Sequence, residues 1–358
     1  MTAAFQGEEF APAKINLTLQ IVGRRPDRYH QLESVVAFAN IGDRLGLTVT
    51  GANHVLDSIE SNCALEYTGA FGATLAQAAD ANLIEKACRS YKEYKFPQIK
   101  PQLASSAAKP PYFHWHFHWK LQKNLPIAAG VGGGSSDAAA ALRLLEQWAQ
   151  SQGMTPSPRH ELLALAANLG SDVPVCLFPE PSRMQERGEK ISPYLIDLPP
   201  KTQEKSLGIN VILFNPSIAL ATKAVFAEFA RERQIKGRPD LPQIFDWQNM
   251  PPPDPPHIRS LDDFCRLAVW QNNHLADVAC RLAPDLHQFR RAIERQRDIL
   301  GCFMTGSGAT LVGICASPEA AHIICQNLRR EFPNAWVEAC QITPSPSLDK
   351  ALYQSDSQ

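Results

Sequence analysis

The sequence predicts an α+β protein of two domains, and three observations carry that prediction. Its 358 residues exceed one ordinary core and leave room for two. Stretches with a period of two and stretches with a helical period mix in both halves of the chain. Between residues 130 and 134 four of five positions are glycine, followed by two serines, an aspartate and a run of alanine and leucine, which marks a tight loop opening a helix.

Composition narrows the class. Hydrophobic residues make up 44% and charged residues 20%, as in an ordinary folded protein, and the net charge of −1 argues against a nucleic-acid partner held by bulk charge. The nine cysteines are odd in number, form no CxxC and sit partly in apolar runs such as "VPVCLF" and "LVGICA", where a reduced thiol behaves as a small hydrophobe. That pattern fits a reducing, cytoplasmic setting. Residues 1–14 hold no basic segment followed by an apolar core, so no signal peptide is expected, and no window approaches the roughly 18 apolar residues of a membrane span.

Element by element, 10–22 reads as a strand in which Ile15, Leu17, Leu19 and Ile21 alternate with Asn16, Thr18 and Gln20. Residues 23–30, "GRRPDRYH", form a turn-rich loop, and 32–39 and 45–49 are further strands. A helix is expected over 81–94, a loop over 97–111 and a strand over 112–121, where "YFHWHFHWKL" alternates strictly. Three histidines on one face of that strand, His114, His116 and His118, invite a metal reading, but no Asp, Glu or Cys nearby is placed to complete a shell, and a solvated histidine face opposite an aromatic core face is the plainer expectation. Helices follow over 136–150 and 159–169, the second stopped by Gly170, then a short strand within 171–178 and a strand over 208–214. The proline-rich 237–256 is expected to be a long loop, 260–300 helical, 302–315 strand, glycine turn and strand, 317–332 a helix capped by Ser317 with Pro318 at its first position, and 335–342 a last strand.

The glycine run before a helix has a chemical use. Glycines let backbone N–H groups approach a ligand with no Cβ between, and a helix N-terminus adds unpaired N–H groups and a positive dipole end; together they cradle an anion, usually phosphate. Ser135 and Ser136 are placed to cap the helix or to offer hydroxyls to a phosphate or its Mg²⁺. A Walker A loop is excluded because the lysine is missing, and a GxGxxG fingerprint because residue 135 is serine. The competing reading is a turn that serves helix packing alone. Phosphoryl transfer to an alcohol also wants a group that takes or orients the hydroxyl proton and a cation that steadies charge. Asp172, in "GSDVPV", is the best carboxylate, and Lys14, in the apolar "APAKINL", the best cation; a lysine in such a run either snorkels to solvent or points into a site. A second glycine turn, "TGSGAT" over 305–310, would suit the closing of a phosphate site.

Three segments, "APAKINLTLQIVGRRPDRYHQLESV", "NLPIAAGVGGGSSDAAAALRLL" with "LGSDVPVCL", and "MTGSGATLVGI", resemble the three motif regions of the GHMP kinase superfamily, in the right order and spacing. Within it, "GRRPDxYH" is similar to the branch that phosphorylates the 2-hydroxyl of a cytidine diphosphate-linked methylerythritol. The resemblance implies a two-domain fold, an N-terminal domain of the ribosomal protein S5 domain 2-like type and a C-terminal ferredoxin-like α/β sandwich, with the active site in the cleft between them. The expected limits are 1–185 for the ATP-binding domain and 205–350 for the second. It implies ATP, with Mg²⁺, bound by Pro126, Ile127, Ala128, Ala129, Gly130, Val131, Gly132, Gly133, Gly134, Ser135 and Ser136. It implies Lys14 and Asp172 as the catalytic pair, Asn16, Tyr29 and His30 at the cytidine diphosphate end, and Gly306, Ser307 and Gly308 near the phosphates or the substrate. The expected partner is a small molecule, with no nucleic acid and no membrane, and the protein is expected to act as a monomer or homodimer without a dedicated protein metal site.

The chain departs from the family pattern at Arg28, where glycine is usual, at Glu186 in "MQERGEKI", and at His274 and Ala276 in "NNHLADVA", where acidic residues are usual. Residues 51–118 and 237–256 are longer than the family norm. The alternatives are another alcohol kinase of the superfamily and a nucleotide-binding relative without chemistry; the second would be expected to have lost Lys14 or Asp172, and both are present.

Overall fold

The computed structural model describes residues 3–24, 30–53, 63–77, 82–103, 113–198, 208–235, 257–270 and 273–345. The chain forms two compact units, and neither is one continuous length. One is Met1–Ala13, Gly42–Ile127 and Gly132–Phe178; the other is Lys14–Ile41, Ala128–Val131 and Pro179–Gln358. The limits 1–185 and 205–350 expected from sequence follow chain order, whereas these units interleave. Strand β1 (Ala3–Asn16) and strand β3 (His30–Asn53) each contribute residues to both, and a periodicity in sequence carries no mark of such a change. Between them lies β2 (Gln20–Arg24).

The first unit continues with β4 (Cys63–Thr68), α1 (Gly72–Ala76), α2 (Leu83–Leu103), β5 (Phe113–Gln122), α3 (Gly133–Ser151), α4 (Arg159–Leu169) and α5 (Val173–Leu177). The second half of β3 pairs antiparallel with β5 from Arg44↔Gln122 to Asn53↔Phe113, and β4 adds to β5 in parallel. Alternation decides the faces: Leu45, Leu47 and Val49, with Phe117, Trp119 and Leu121, are buried, while His118 is exposed and His116 half-buried on the other face of β5. The side chain of His114 lies outside the described residues. Helix α3 is buried from Ser136 through Leu142 and again at Leu144, Leu145 and Trp148, because α2, α4 and α5 all pack on it. Trp148 meets Trp115 and Phe117 edge-on at 5.4 and 5.0 Å between ring centres.

Two expectations change here. Helix α2 runs to Leu103 through Pro97 and Pro101, where a loop from 97 was expected; each proline removes one hydrogen bond of a ladder that the rest of a 21-residue helix maintains. Residues 173–177 are helical rather than extended. A short, wholly buried apolar run has no period that separates strand from helix, and Pro174 sits in the first turn, where no N–H is needed.

The second unit carries β6 (Ser182–Glu186), β7 (Lys190–Pro193), β8 (Leu195–Ile196), β9 (Ile209–Asn215), α6 (Thr222–Ile235), β10 (His257–Ile258), α7 (Leu261–Cys265), a π-helical turn over 266–270, α8 (Ala276–Leu282), α9 (Leu286–Glu294), β11 (Ile299–Met304), β12 (Leu311–Cys315), α10 (Pro318–Glu331) and β13 (Trp336–Ile342). Its sheet runs β11-β12-β9-β13 and reaches the first half of β3 at Ile342↔Ala39; β2 and β6 also pair with that half of β3. Leu19, Ile21, Ile212, Phe214, Val225 and Leu275 share one core with residues of α9 and α10. The helical stretch expected over 260–300 is three short helices and a π turn, broken after Leu282 by Ala283 and Pro284. Ser317 caps α10 as expected, its hydroxyl accepting from Ala320 N at 3.1 Å. The proline-rich 237–256 lies outside the described residues. Among the described residues, no helix is long and apolar enough to cross a membrane.

Candidate active site

The helix that follows the glycine run begins earlier than its serines suggest. Gly132, with φ +65°, is its N-cap, and α3 starts at Gly133. Ser135 and Ser136 therefore lie inside the first turn and neither caps it; a glycine in the left-handed region turns the chain into the helix before they are reached. The first N–H groups of α3 have no intrahelical acceptors. Gly134 is exposed beside them and Ser135 half-buried, while the Ser136 hydroxyl is fully enclosed without a hydrogen-bond partner. Pro126 is buried and Ile127 exposed just upstream.

Beneath that turn lies a charge cluster the sequence reading missed. Lys123 Nζ lies 2.6 Å from both Asp43 Oδ2 and Asp137 Oδ2, and all three residues are buried. Asp43 Oδ1 accepts from the N–H groups of Asn124 and Leu125 at 2.6 and 2.9 Å, fixing the chain just before Pro126. A Cβ on Gly133 would lie 3.0 Å from Lys123 Nζ, so the helix start sits directly on the ammonium. Burial alone would push the Lys123 ammonium down, but Asp137 and Asp43 outweigh it and raise it above its usual range. Burial pushes the Asp137 carboxyl up to about 7, Lys123 opposing and Asp43 adding to the rise. The only mark of this cluster in sequence was the aspartate that follows the two serines of the glycine run.

In the other unit, residues 128–131 are held by backbone and by threonines. Val131 O accepts from Lys14 N at 2.9 Å, and Ala129 O accepts from Thr310 N at 3.3 Å and Thr310 Oγ1 at 2.5 Å. Ala128 and Gly130 have φ of +52° and +78°. A Cβ on Gly130 would lie 2.7 Å from Thr305 O and 2.8 Å from Gly308 O. Thr305 Oγ1 in turn accepts from Asn16 N at 2.8 Å. Asn273 Nδ2 donates to Met304 O and Gly306 O at 3.0 and 2.6 Å, and Ser307 Oγ lies 2.8 Å from Thr222 Oγ1 on α6. Lys14, Asn16, residues 128–131 and Gly306–Gly308 are thus brought into one network. Thr305, Thr310 and Asn273 went unnoticed in sequence, although the first two frame the "GSGA" that drew attention.

Lys14 and Asn16 are each 2% exposed, consistent with an inward rather than a snorkelling lysine. Asn16 Nδ2 donates to Ser34 Oγ at 2.8 Å, while its Oδ1 is buried without a partner. His30 stacks on Phe226 of α6 with ring centres 5.5 Å apart and meets Phe229 edge-on. Phe229 stacks on His274, whose Nδ1 accepts from Ile21 N at 3.1 Å. The His30 side therefore has an aromatic wall whose sequence signal was the "FAEF" spacing on a helix not foreseen. Tyr29 and Arg28 lie outside the described residues. Asp172, half-buried, immediately precedes α5 in the first unit.

Comparison with known proteins adds the following. The GHMP kinases N terminal domain matches residues 82–180, and the GHMP kinases C terminal domain matches 258–334. The chain is 37% identical over 331 residues, 92% of its own length and 96% of the relative's, to the 4-diphosphocytidyl-2-C-methyl-D-erythritol kinase of Parvibaculum lavamentivorans. It is 36% identical to the protein of that name in Cereibacter sphaeroides, covering 92% and 97% of the two chains. A crystal structure of 4-(cytidine 5'-diphospho)-2C-methyl-D-erythritol kinase superposes with a TM-score of 0.62 at 26% identity over 94% and 99% of the two chains. The crystal structure of L. major mevalonate kinase shares the fold alone, with a TM-score of 0.63 at 14% identity over 95% and 97% of the two chains.

Proposed function

The chain belongs to the 4-diphosphocytidyl-2-C-methyl-D-erythritol kinases of the GHMP kinase family, and we infer from this that it transfers the γ-phosphoryl group of ATP to the 2-hydroxyl of 4-diphosphocytidyl-2-C-methyl-D-erythritol. The products are the 2-phosphate and ADP, on the methylerythritol phosphate route to isoprenoid precursors. The single observation that carries this reading is identity above 35% to enzymes of that name along nearly the whole chain.

Roles for individual residues are part of the same proposal. The loop from Pro126 to Ser136 takes the ATP phosphates on its backbone N–H groups and on the positive end of α3. The positive φ values at Ala128, Gly130 and Gly132 and the open flank at Gly134 support this. Asp172 accepts or orients the proton of the attacking hydroxyl, and Lys14 steadies the charge that develops. Asn16, Tyr29 and His30 receive the cytidine diphosphate end; the stacked His30 and Phe226 rings and the buried, unpartnered Oδ1 of Asn16 suit a flat, polar-edged base. Gly306, Ser307 and Gly308 back the phosphates. We assign Mg²⁺ to the β- and γ-phosphates, where it would neutralise charge. Among the described residues, no three His, Cys, Asp or Glu side chains converge on one point, so the protein's share of the ion's shell would be a serine hydroxyl such as that of Ser135, with phosphate and water supplying the rest. We assign ATP handling to 1–185 and the remaining functional division to 205–350, and place the enzyme in the cytoplasm as a monomer or homodimer acting on a small molecule.

The test is a coupled ADP-release assay with ATP and Mg²⁺, offering 4-diphosphocytidyl-2-C-methyl-D-erythritol beside mevalonate and homoserine. Turnover with the cytidylyl acceptor alone is expected. Turnover with another acceptor in its place overturns the substrate assignment, and none with any of the three overturns the kinase.

A further inference from the structure

We propose that Arg143 is a positioning residue for Asp172, acting through the short helix α5; this rests on the assignment of Asp172 as the proton-handling carboxylate. Arg143 lies on α3, ten residues after Gly133, about 15 Å along the helix from the glycine loop. Its guanidinium is largely buried, 18% exposed, and its donors are divided between two elements. Nε donates to Glu9 Oε2 at 2.7 Å and Nη2 to Phe10 O at 2.8 Å, both on β1. Nη1 donates to Cys176 O at 3.0 Å and Leu177 O at 3.4 Å, the last carbonyls of α5.

Helix α5 has five residues, too few to hold its own geometry in isolation. Its terminal carbonyls need donors, and its negative end is best met by a cation. Arg143 supplies both. The link to Asp172 is one residue long: Cys176 N donates to Asp172 O at 3.4 Å while Cys176 O receives Arg143. Cys176 is therefore held through its carbonyl by the guanidinium and through its N–H by the backbone of Asp172. Glu9 is in turn held by Gln147 Nε2 at 2.6 Å, one turn further along α3, so the fork is itself fixed. A lysine at 143 delivers a charge but not a planar fork that reaches two elements at once.

The experiment uses the full-length enzyme with R143Q, R143K, D172N and the double variant R143Q/D172N, assayed at a temperature where all are folded. R143Q is expected to lower kcat about tenfold or more, with KM for ATP and for the acceptor within about twofold of the parent. R143K is expected to fall between. In the D172N background, R143Q is expected to cause no further loss of residual turnover, because the group it positions has already been disabled. Equal fractional losses in both backgrounds mean a merely structural role and overturn the proposal, as does parental kcat in R143Q. Parental turnover in D172N overturns the Asp172 assignment together with the proposal. Should R143Q not fold, R143K and R143K/D172N carry the same comparison.

Discussion

A Cβ on Gly130 would sit 2.7 Å from the carbonyl oxygen of Thr305, and one on Gly306 would sit 2.5 Å from the carbonyl oxygen of Gly130. The two glycines, distant along the chain, are each required by the backbone of the loop that holds the other. Both also have positive φ, +78° and +59°. Their use is to let two loops touch, a different use from leaving room for a ligand, and it makes the "TGSGAT" turn part of the glycine loop's support.

Gly130→Ala and Gly306→Ala are each expected to cost at least about 1–3 kcal/mol, since strain at positive φ adds to a collision with backbone that cannot move aside. Gly134→Ala is expected to leave the melting temperature unchanged or slightly raised, because its nearest neighbour beyond the helix's own backbone, Leu83, would be 3.8 Å away and alanine favours a helix. Thermal unfolding of the three variants checks this. A Gly130→Ala variant as stable as the parent would remove the close contact from the account.

Thr305 joins the end of β1 to the glycine loop through one hydroxyl. Thr305→Val keeps the shape and leaves the buried N–H of Asn16 without its acceptor, at an expected cost of about 1–3 kcal/mol. Thr305→Ser, which keeps the hydroxyl, is expected to lose much less. Urea unfolding of both, with KM for the acceptor, measures the difference; equal losses in the two variants would assign the effect to the methyl group instead.

Asp137 makes stability depend on pH in an unusual direction. Burial pushes its carboxyl up to about 7 in the folded protein, from an ordinary value of 3.8. Between those values the folded chain holds a proton that the unfolded chain has released, so this group's contribution to stability falls as pH rises from about 4 to about 7. Asp137→Asn removes that slope while leaving Lys123 paired with Asp43. Melting temperatures of parent and variant across this range are expected to show the parent gaining on the variant towards acid. Parallel curves would mean that Asp137 stays ionised.

Asp172→Asn is expected to lower kcat by about 10²–10⁴ with ATP affinity retained, the signature of a proton-handling group lost without damage to nucleotide binding. Steady-state kinetics together with ATP titration separates the two quantities. A variant that loses ATP affinity and keeps kcat would move Asp172 out of the chemistry.

Much of this molecule was readable before its fold. Helix α4 spans the expected 159–169, Ser317 caps α10 as its spacing predicts, and β9 and β13 fall within a residue of expectation. Each of these is declared by local chemistry: a period, a cap or a glycine stop. Helix α6, strands β4 and β6–β8 and the helical state of 173–177 were not, because their residues have weak periods or a run equally apolar in either state, and tertiary packing chooses between them.

The same division holds at the site. Local sequence singled out the glycine loop, Lys14, Asp172 and the "TGSGAT" turn as candidates, since phosphate binding and proton transfer demand particular residue types at short spacing. It was not enough to find Lys123 between Asp43 and Asp137, Thr305 between Asn16 and Gly130, or Arg143 against the end of α5. Those partners are distant along the chain, and each taken alone is an ordinary lysine, threonine or arginine. Only folding removes them from water, and a buried charge or N–H group must then find its counterpart nearby or bear the desolvation cost.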